Sequence, residues 1–268
     1  MQVPRWPLTL TVSCLLVLLC VPLVGCSSEQ ESWEVVLEKV YTATNQVQSY
    51  RAVTNSSSAP AVLTEEHKSG ALHVSLESQS EETYVYPDRL QRKSTIRTSY
   101  DPSGGNVWSD TNDWEIVHID NKEYQRTAID GEWSEWKVKE TPFPAHFSPL
   151  ERISGRFEPL VNIKKLSDEK VEGVNCLHYK AKVDKDKLCD QFLGKPEDIP
   201  EHARESVEED RRKYEQGTID VEFWIDAESY LLCQWRQEEY SPPSAFNLRG
   251  TETIVYYYNE PVETEPPM

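Results

Sequence analysis

The sequence predicts an α+β fold: one antiparallel sheet with helical cover on a single face. Three observations carry this. Apolar residues recur mostly at three- and four-residue steps from Trp33 to Val47. From Tyr50 the period becomes two and stays so through most of the chain to Tyr258. Turn signals such as Asp120-Asn121 and Asp130-Gly131 separate the alternating runs, as an antiparallel meander requires. A sheet with one apolar face needs a cover, and the helical stripe is the obvious one.

The chain opens with a segment carrying one positive side chain, Arg5, followed by an almost wholly apolar run over residues 8–24. That run is about 17 residues long, at the lower limit of the roughly 20 needed to cross the hydrocarbon core, and Pro22 interrupts its end. The order of basic, apolar and small residues is that of a secretory signal peptide. Leu23-Val24-Gly25-Cys26 resembles the lipobox of bacterial lipoproteins, in which the thiol receives a diacylglyceryl group and the chain is cut just before it. On this resemblance residues 1–25 are a lipoprotein signal peptide and Cys26 is the lipid attachment site. The alternative is a plain signal peptide with Cys26 beside its cleavage point. Two or three acyl chains give stable anchoring at about 0.8 kcal/mol per buried methylene. Residues 26–31 then form a tether, so the folded body sits near the extracytoplasmic face of a bacterial membrane.

A single domain is expected over residues 32–258. Its helix, capped by Ser32 with Glu34 in the first turn, places Trp33, Val36, Leu37, Val40 and Val47 on one stripe and ends near Gln48. An extended segment follows over residues 50–54. Residues 55–70, with three consecutive serines and a proline, read as a loop. Strands are expected at 72–77, 89–98, 114–119, 123–127, 133–138 and 163–166, with a short helix at 149–157. In the second half Leu177, Tyr179, Ala181 and Val183 share one face, as do Ile219, Val221, Phe223 and Ile225. Residues 230–238 and 251–258 complete the set. Residues 185–216 form a charged helical insertion whose acidic side chains precede Arg211, Arg212 and Lys213, the order the helix dipole prefers. Residues 259–268 are an acidic, proline-rich tail.

The formal net charge is −18, which repels nucleic acid and anionic headgroups over most of the surface, so no nucleic-acid partner is expected and membrane attachment falls to the lipid. Hydrophobic residues at 38% and aromatic ones at 10% still suffice for a core. The six histidines are scattered with no HExxH, and neither a GxSxG elbow nor a phosphate-binding glycine loop occurs. No catalysis, no metal and no cofactor are therefore expected. Carboxylates such as Asp220 and Glu222 read as a solvated strand face. Trp108, Trp114, Trp133 and Trp136, with Tyr256, Tyr257 and Tyr258, are a concentration of aromatics. Outward rings would suit a sugar or another cell-envelope protein, whereas cross-strand pairing is the plainer reading.

Beyond the leader and Cys26, three thiols remain: Cys176, Cys189 and Cys233. Strand parity puts Cys176 opposite Leu177 and Tyr179 but Cys233 on the side of Leu231 and Trp235, so these two point apart. Cys189 with Cys233 is the disulfide that parity favours, and three free thiols are the alternative.

The fragments "ATNQVQSYRAV", "YPDRLQRKS", "EIVHIDNKEYQR", "VEGVNCLHYKAKVD" and "FWIDAESYLLCQWR" occur in an order similar to that of the LolA-like lipoprotein carriers, especially the LppX and LprG group. The resemblance implies a curved, incomplete barrel covered by helices on its concave side, around an apolar cavity that accepts acyl chains. The insertion at 185–216 departs from that pattern. By periodicity the cavity-facing candidates are Trp33, Val36, Leu37, Val40, Val74, Leu76, Val221 and Phe223. Two functions follow as expectations: binding lipid acyl chains for carriage or retention at the membrane, or a non-catalytic protein- or glycan-binding module whose core is filled by side chains.

Overall fold

The computed structural model describes residues 31–63, 72–102, 106–142, 148–240 and 249–261. The signal peptide, Cys26 and the end of the tail lie outside the described residues. Residues from Trp33 onward form one unit.

Helix α1 (Trp33–Thr44) leads into strands β1 (Ser49–Leu63), β2 (Leu72–Val85), β3 (Arg89–Pro102), β4 (Trp108–Ile119) and β5 (Lys122–Ile129). Short strands β6 (Glu132–Trp133) and β7 (Lys137–Glu140) precede helix α2 (Pro149–Phe157). Then come β8 (Leu160–Lys165), β9 (Glu169–Val171) and β10 (Val174–Val183), helices α3 (Lys185–Leu193) and α4 (Arg204–Gln216), and finally β11 (Thr218–Asp226), β12 (Leu232–Tyr240) and β13 (Arg249–Tyr258). The thirteen strands among the described residues form one antiparallel sheet in the order β6-β5-β4-β3-β2-β1-β13-β12-β11-β10-β8, with β7 beside β5 and β9 beside β10. Neither end of that order pairs with the other, so the sheet stays open. The α+β class with an open antiparallel sheet is thus the one the sequence predicts.

Asp120-Asn121 and Asp130-Gly131 take positive φ at both positions and close tight hairpins, as their composition favours. Elsewhere the structure corrects the reading. Residues 55–63 continue β1 instead of forming a loop, pairing with β2 on one side and, up to Ser58, with β13 on the other. Serine hydroxyls support this, for Ser56 Oγ and Ser78 Oγ lie 2.6 Å apart across the ladder. The run at 133–138 splits into β6 and β7. Tyr230 is left out of β12 because its φ of 60° belongs to the turn that precedes the strand.

Helix α2 shows how local sequence fixes an element. Ser148 caps it by accepting from the Glu151 backbone N–H at 3.3 Å, and Pro149 sits in the first turn. Pro149, Ile153 and Phe157, four apart, are its buried face. With α1 this helix covers one side of the sheet. Phe223 is the centre of the resulting core: its ring lies 5.4 Å from Trp33, 5.2 Å from Phe157, 5.3 Å from Tyr179 and 6.0 Å from Trp235. Replacing Phe223, which is fully buried, with alanine is expected to cost about 3–5 kcal/mol in a urea unfolding experiment. Leu76→Ala, at an exposed position, should stay within about 0.5 kcal/mol of the parent.

Candidate functional site

Strand register sorts the helix-bearing face into rows across the sheet. Tyr258, Tyr50, Tyr84 and Leu90 make the first row, and Tyr256, Ala52, Glu82 and Arg92 the second. Ile254, Thr54, Ser80 and Ser94 form the third; Glu252, Ser56, Ser78 and Ile96 the fourth; Gly250, Ser58, Leu76 and Thr98 the fifth. Packing is complete at the first row. Beyond it the chemistry turns from aromatic to charged and then to hydroxyl-bearing.

The second row holds a buried ionic cluster. Glu82, 6% exposed, accepts from the Tyr50 hydroxyl at 2.6 Å and from Arg92 Nε at 2.8 Å, and it also pairs with Arg152. Burial alone would raise this carboxyl, but Arg152 foremost, then Arg92 and the Tyr50 hydroxyl, hold it below the usual carboxylate range. Burial, reinforced by Glu82, pushes the Tyr50 phenol well up, so it remains a donor. Arg152 and Arg156 are four apart on α2, so both reach the same side of the helix. Arg156 lies 3.8 Å from Glu252, hydrogen-bonds to Tyr256, and holds its guanidinium carbon over the Trp235 ring, 5.3 Å from the centroid. Between α2 and the second and third rows these groups line a half-open cavity of about 220 Å3.

Adjoining it is an open groove of about 400 Å3 on the fourth and fifth rows, lined by Ser56, Ser58, Leu76, Ile96, Glu239 and Glu252. Glu252 borders both spaces. The Glu239 carboxyl is pushed up by burial first and by Glu252 second.

The eight cavity-facing candidates divide between two environments. Val36, Val40, Val221 and Phe223 are buried in the aromatic core, with Trp33 and Leu37 packed against it, so side chains fill the space they share. Leu76 is 40% exposed and lines the open groove. Val74, half-buried, is two residues further along β2. Sequence reasoning passed over Glu82, Arg92, Arg152 and Arg156. The signal was present, because Glu82 is in phase with Tyr84 and Arg92 with Leu90, which puts two charges on an apolar face.

The outer face carries a second ionic cluster. Glu115 accepts from Arg126 Nε at 2.9 Å and from Gln91 at 2.8 Å. The Arg126 guanidinium lies 4.4 Å from both Trp133 and Trp136. On the helix-bearing face, past the fifth row, Trp108 stacks on Tyr100 at 5.2 Å, its register partner. These tryptophans therefore serve cross-strand contacts, although Trp108 and Trp133 stay about half exposed.

The thiols depart from the parity reading. Cys176, Cys189 and Cys233 are all free, and the neighbour of Cys233 is Cys176, with which it hydrogen-bonds, instead of Cys189. A bulge between Trp224 and Ile225 in the β11–β12 register inserts Cys233 as an extra residue, which turns its side chain away from the core. Burial raises both thiols, Cys233 strongly, so neither is a reactive thiolate at neutral pH. Among the described residues no cluster of three or more His, Cys, Asp or Glu could hold a metal ion, and no helix is long and apolar enough to cross a membrane.

No family model matches the chain, and no curated protein matches it in sequence. Among solved structures it is similar to the lipoprotein LppX of Mycobacterium tuberculosis, at 9% identity over 87% of this chain and 100% of that one, with a TM-score of 0.40. It is also similar to LprF from Mycobacterium bovis, at 13% identity over 87% and 96%, with a TM-score of 0.44. A LolA superfamily protein from Nitrosomonas europaea is 7% identical over 85% and 92%, with a TM-score of 0.21. The fold described above stands on this chain's own strand order and register.

Glu82→Gln is expected to lower stability at pH 7 by about 1–3 kcal/mol, since it strips two partly exposed arginines of their buried counter-charge. The lowered carboxyl adds stability that is full above its unfolded value near about 4.3 and fades as pH falls through its lower folded value. Urea melts from pH 7 to pH 3 should therefore show a shallower acid loss in Glu82→Gln than in the parent.

Proposed function

We propose that the chain is an extracytoplasmic lipoprotein, fixed to the membrane through acylated Cys26, that binds the acyl chains of a lipid and holds or carries them close to the bilayer. The observation that carries the reading is the division of the helix-bearing face. Its aromatic core is filled, while its uncovered part offers a groove of about 400 Å3 in which Leu76 and Ile96 stand among serine hydroxyls. An acyl chain laid there would bury apolar surface that now meets water, at about 25 cal/mol per Å2. The binding site on this reading is the groove beside the core, not a void within it. No catalytic step is assigned. One of the similar solved structures, LppX, is a lipoprotein.

A second reading, a non-catalytic module that recognises a protein or glycan from the membrane surface, draws support from the filled interior and from half-exposed Trp108 and Trp133. Solvent extraction of the protein purified from its native membrane separates the two. Mass spectrometry is expected to find stoichiometric lipid, reduced at least severalfold in Leu76→Asp and unaffected in Trp133→Ala; protein free of lipid in every preparation would remove the first reading. For the anchor, Cys26→Ser is expected to abolish the diacylglyceryl mass increment and release the protein from the membrane fraction.

A further inference from the structure

The cavity under α2 has a chemistry of its own. Three guanidiniums, Arg92, Arg152 and Arg156, line it against two carboxylates, Glu82 and Glu252, which leaves one positive charge in excess in a chain of net charge −18. One end of that balance is tightly closed, since Glu82 is bound by Tyr50, Arg92 and Arg152 together. The other end is loose. Arg156 stands 3.8 Å from Glu252, longer than a hydrogen bond, so its charge is only weakly engaged by that carboxylate. The Trp235 ring lies 5.3 Å from this guanidinium, and the edge N–H groups of a guanidinium suit a carboxylate or phosphate. Tyr256 adds a hydroxyl at the same place, kept protonated chiefly by burial.

The groove of Leu76 and Ile96 shares Glu252 with this space, and Ala52 to Ser58 along β1 measures roughly 20 Å at the strand rise per residue. Charge at one end and apolar side chains at the other, along one strand direction, describe the two ends of an amphiphile. We propose that the cavity between α2 and the sheet, with Arg156 as its principal contact, receives the anionic head of an amphiphile, a carboxylate or phosphate, whose apolar part lies along Leu76 and Ile96. The proposal rests on the acyl-binding reading and adds to it the charge class of the ligand and its direction, head beside α2 and chain away from the helices. Glu239, at the far end of the groove and away from the arginines, disfavours a second anionic group there.

Native mass spectrometry of the full chain, released from membranes in mild detergent, tests this with oleate, oleyl alcohol, oleylamine and inorganic phosphate as separate probes. The parent protein is expected to retain oleate about tenfold or more over oleyl alcohol, the size of a charge-assisted hydrogen bond. Arg156→Gln should erase that preference without changing alcohol retention, Arg156→Lys should restore most of it, and Leu76→Asp should lower oleate and alcohol alike. Equal retention of oleate and alcohol, unmoved by Arg156→Gln, overturns the head site while leaving acyl binding in place. Preference for oleylamine overturns it as well. Retention of none of the three amphiphiles removes the acyl reading itself. Phosphate held by the parent and lost in Arg156→Gln, with no amphiphile bound, identifies a site for a free anion and overturns the coupling of head to chain.

Discussion

The constraint on which the rest depends is a mismatch of lengths. Strands β1, β2 and β3 are 14 or 15 residues long, about 50 Å at 3.4 Å per residue. Helix α1 has 12 residues and spans about 18 Å, and α2 is shorter still. Two such helices shelter only part of the face they pack on. The side chains along each strand change accordingly, from Tyr50 and Ala52 beneath the cover to Ser56 and Ser58 beyond it. A fully apolar strand face of that length would be an aggregation surface, whereas a fully polar one would leave the helices nothing to pack on.

At the border between the two regimes sits the cluster around Glu82. Buried ion pairs contribute little net stability relative to well-packed apolar groups of the same size, but they are intolerant of misplacement. Arg152 and Glu82 meet only when α2 stands in one position along the sheet, so the cluster sets where the covered region stops. The same helix turn that delivers Ile153 and Phe157 to the core delivers Arg152 and Arg156 to its margin, which couples the packing of the interior to the charge of the adjoining cavity.

Much of this was legible in the residues. The phase of Ile219, Val221, Phe223 and Ile225 located the inner face of β11, and residues 149–157 announced α2. What escaped has physical reasons. Serines 56 to 58 look like loop residues because strand preference reflects a half-buried surface, and these line a groove instead. Parity failed at Cys233 because one inserted residue reverses every side-chain direction beyond it. Periodicity found the side of the sheet to which Val36, Val40 and Val221 belong, yet free volume depends on how Trp33, Phe157 and Trp235 interlock, which no alternation pattern records. The acidic and basic residues on the inner face were in plain sight, and recognising them needed only the pairing of β2 with β3.

Strand β13 lies between β1 and β12, with Tyr258 opposite Tyr50 and the Asn259 backbone N–H donating to the Ser49 carbonyl at 2.9 Å. The middle of the sheet is thus completed by the strand that follows the other twelve described strands in sequence. Until it arrives, β1 and β12 each present an unsatisfied ladder of amides and carbonyls, and closing the gap joins residues some two hundred positions apart, a slow event by the measure of loop entropy. Any separation of β13 from its neighbours would therefore split the sheet into two halves, each left with an open edge.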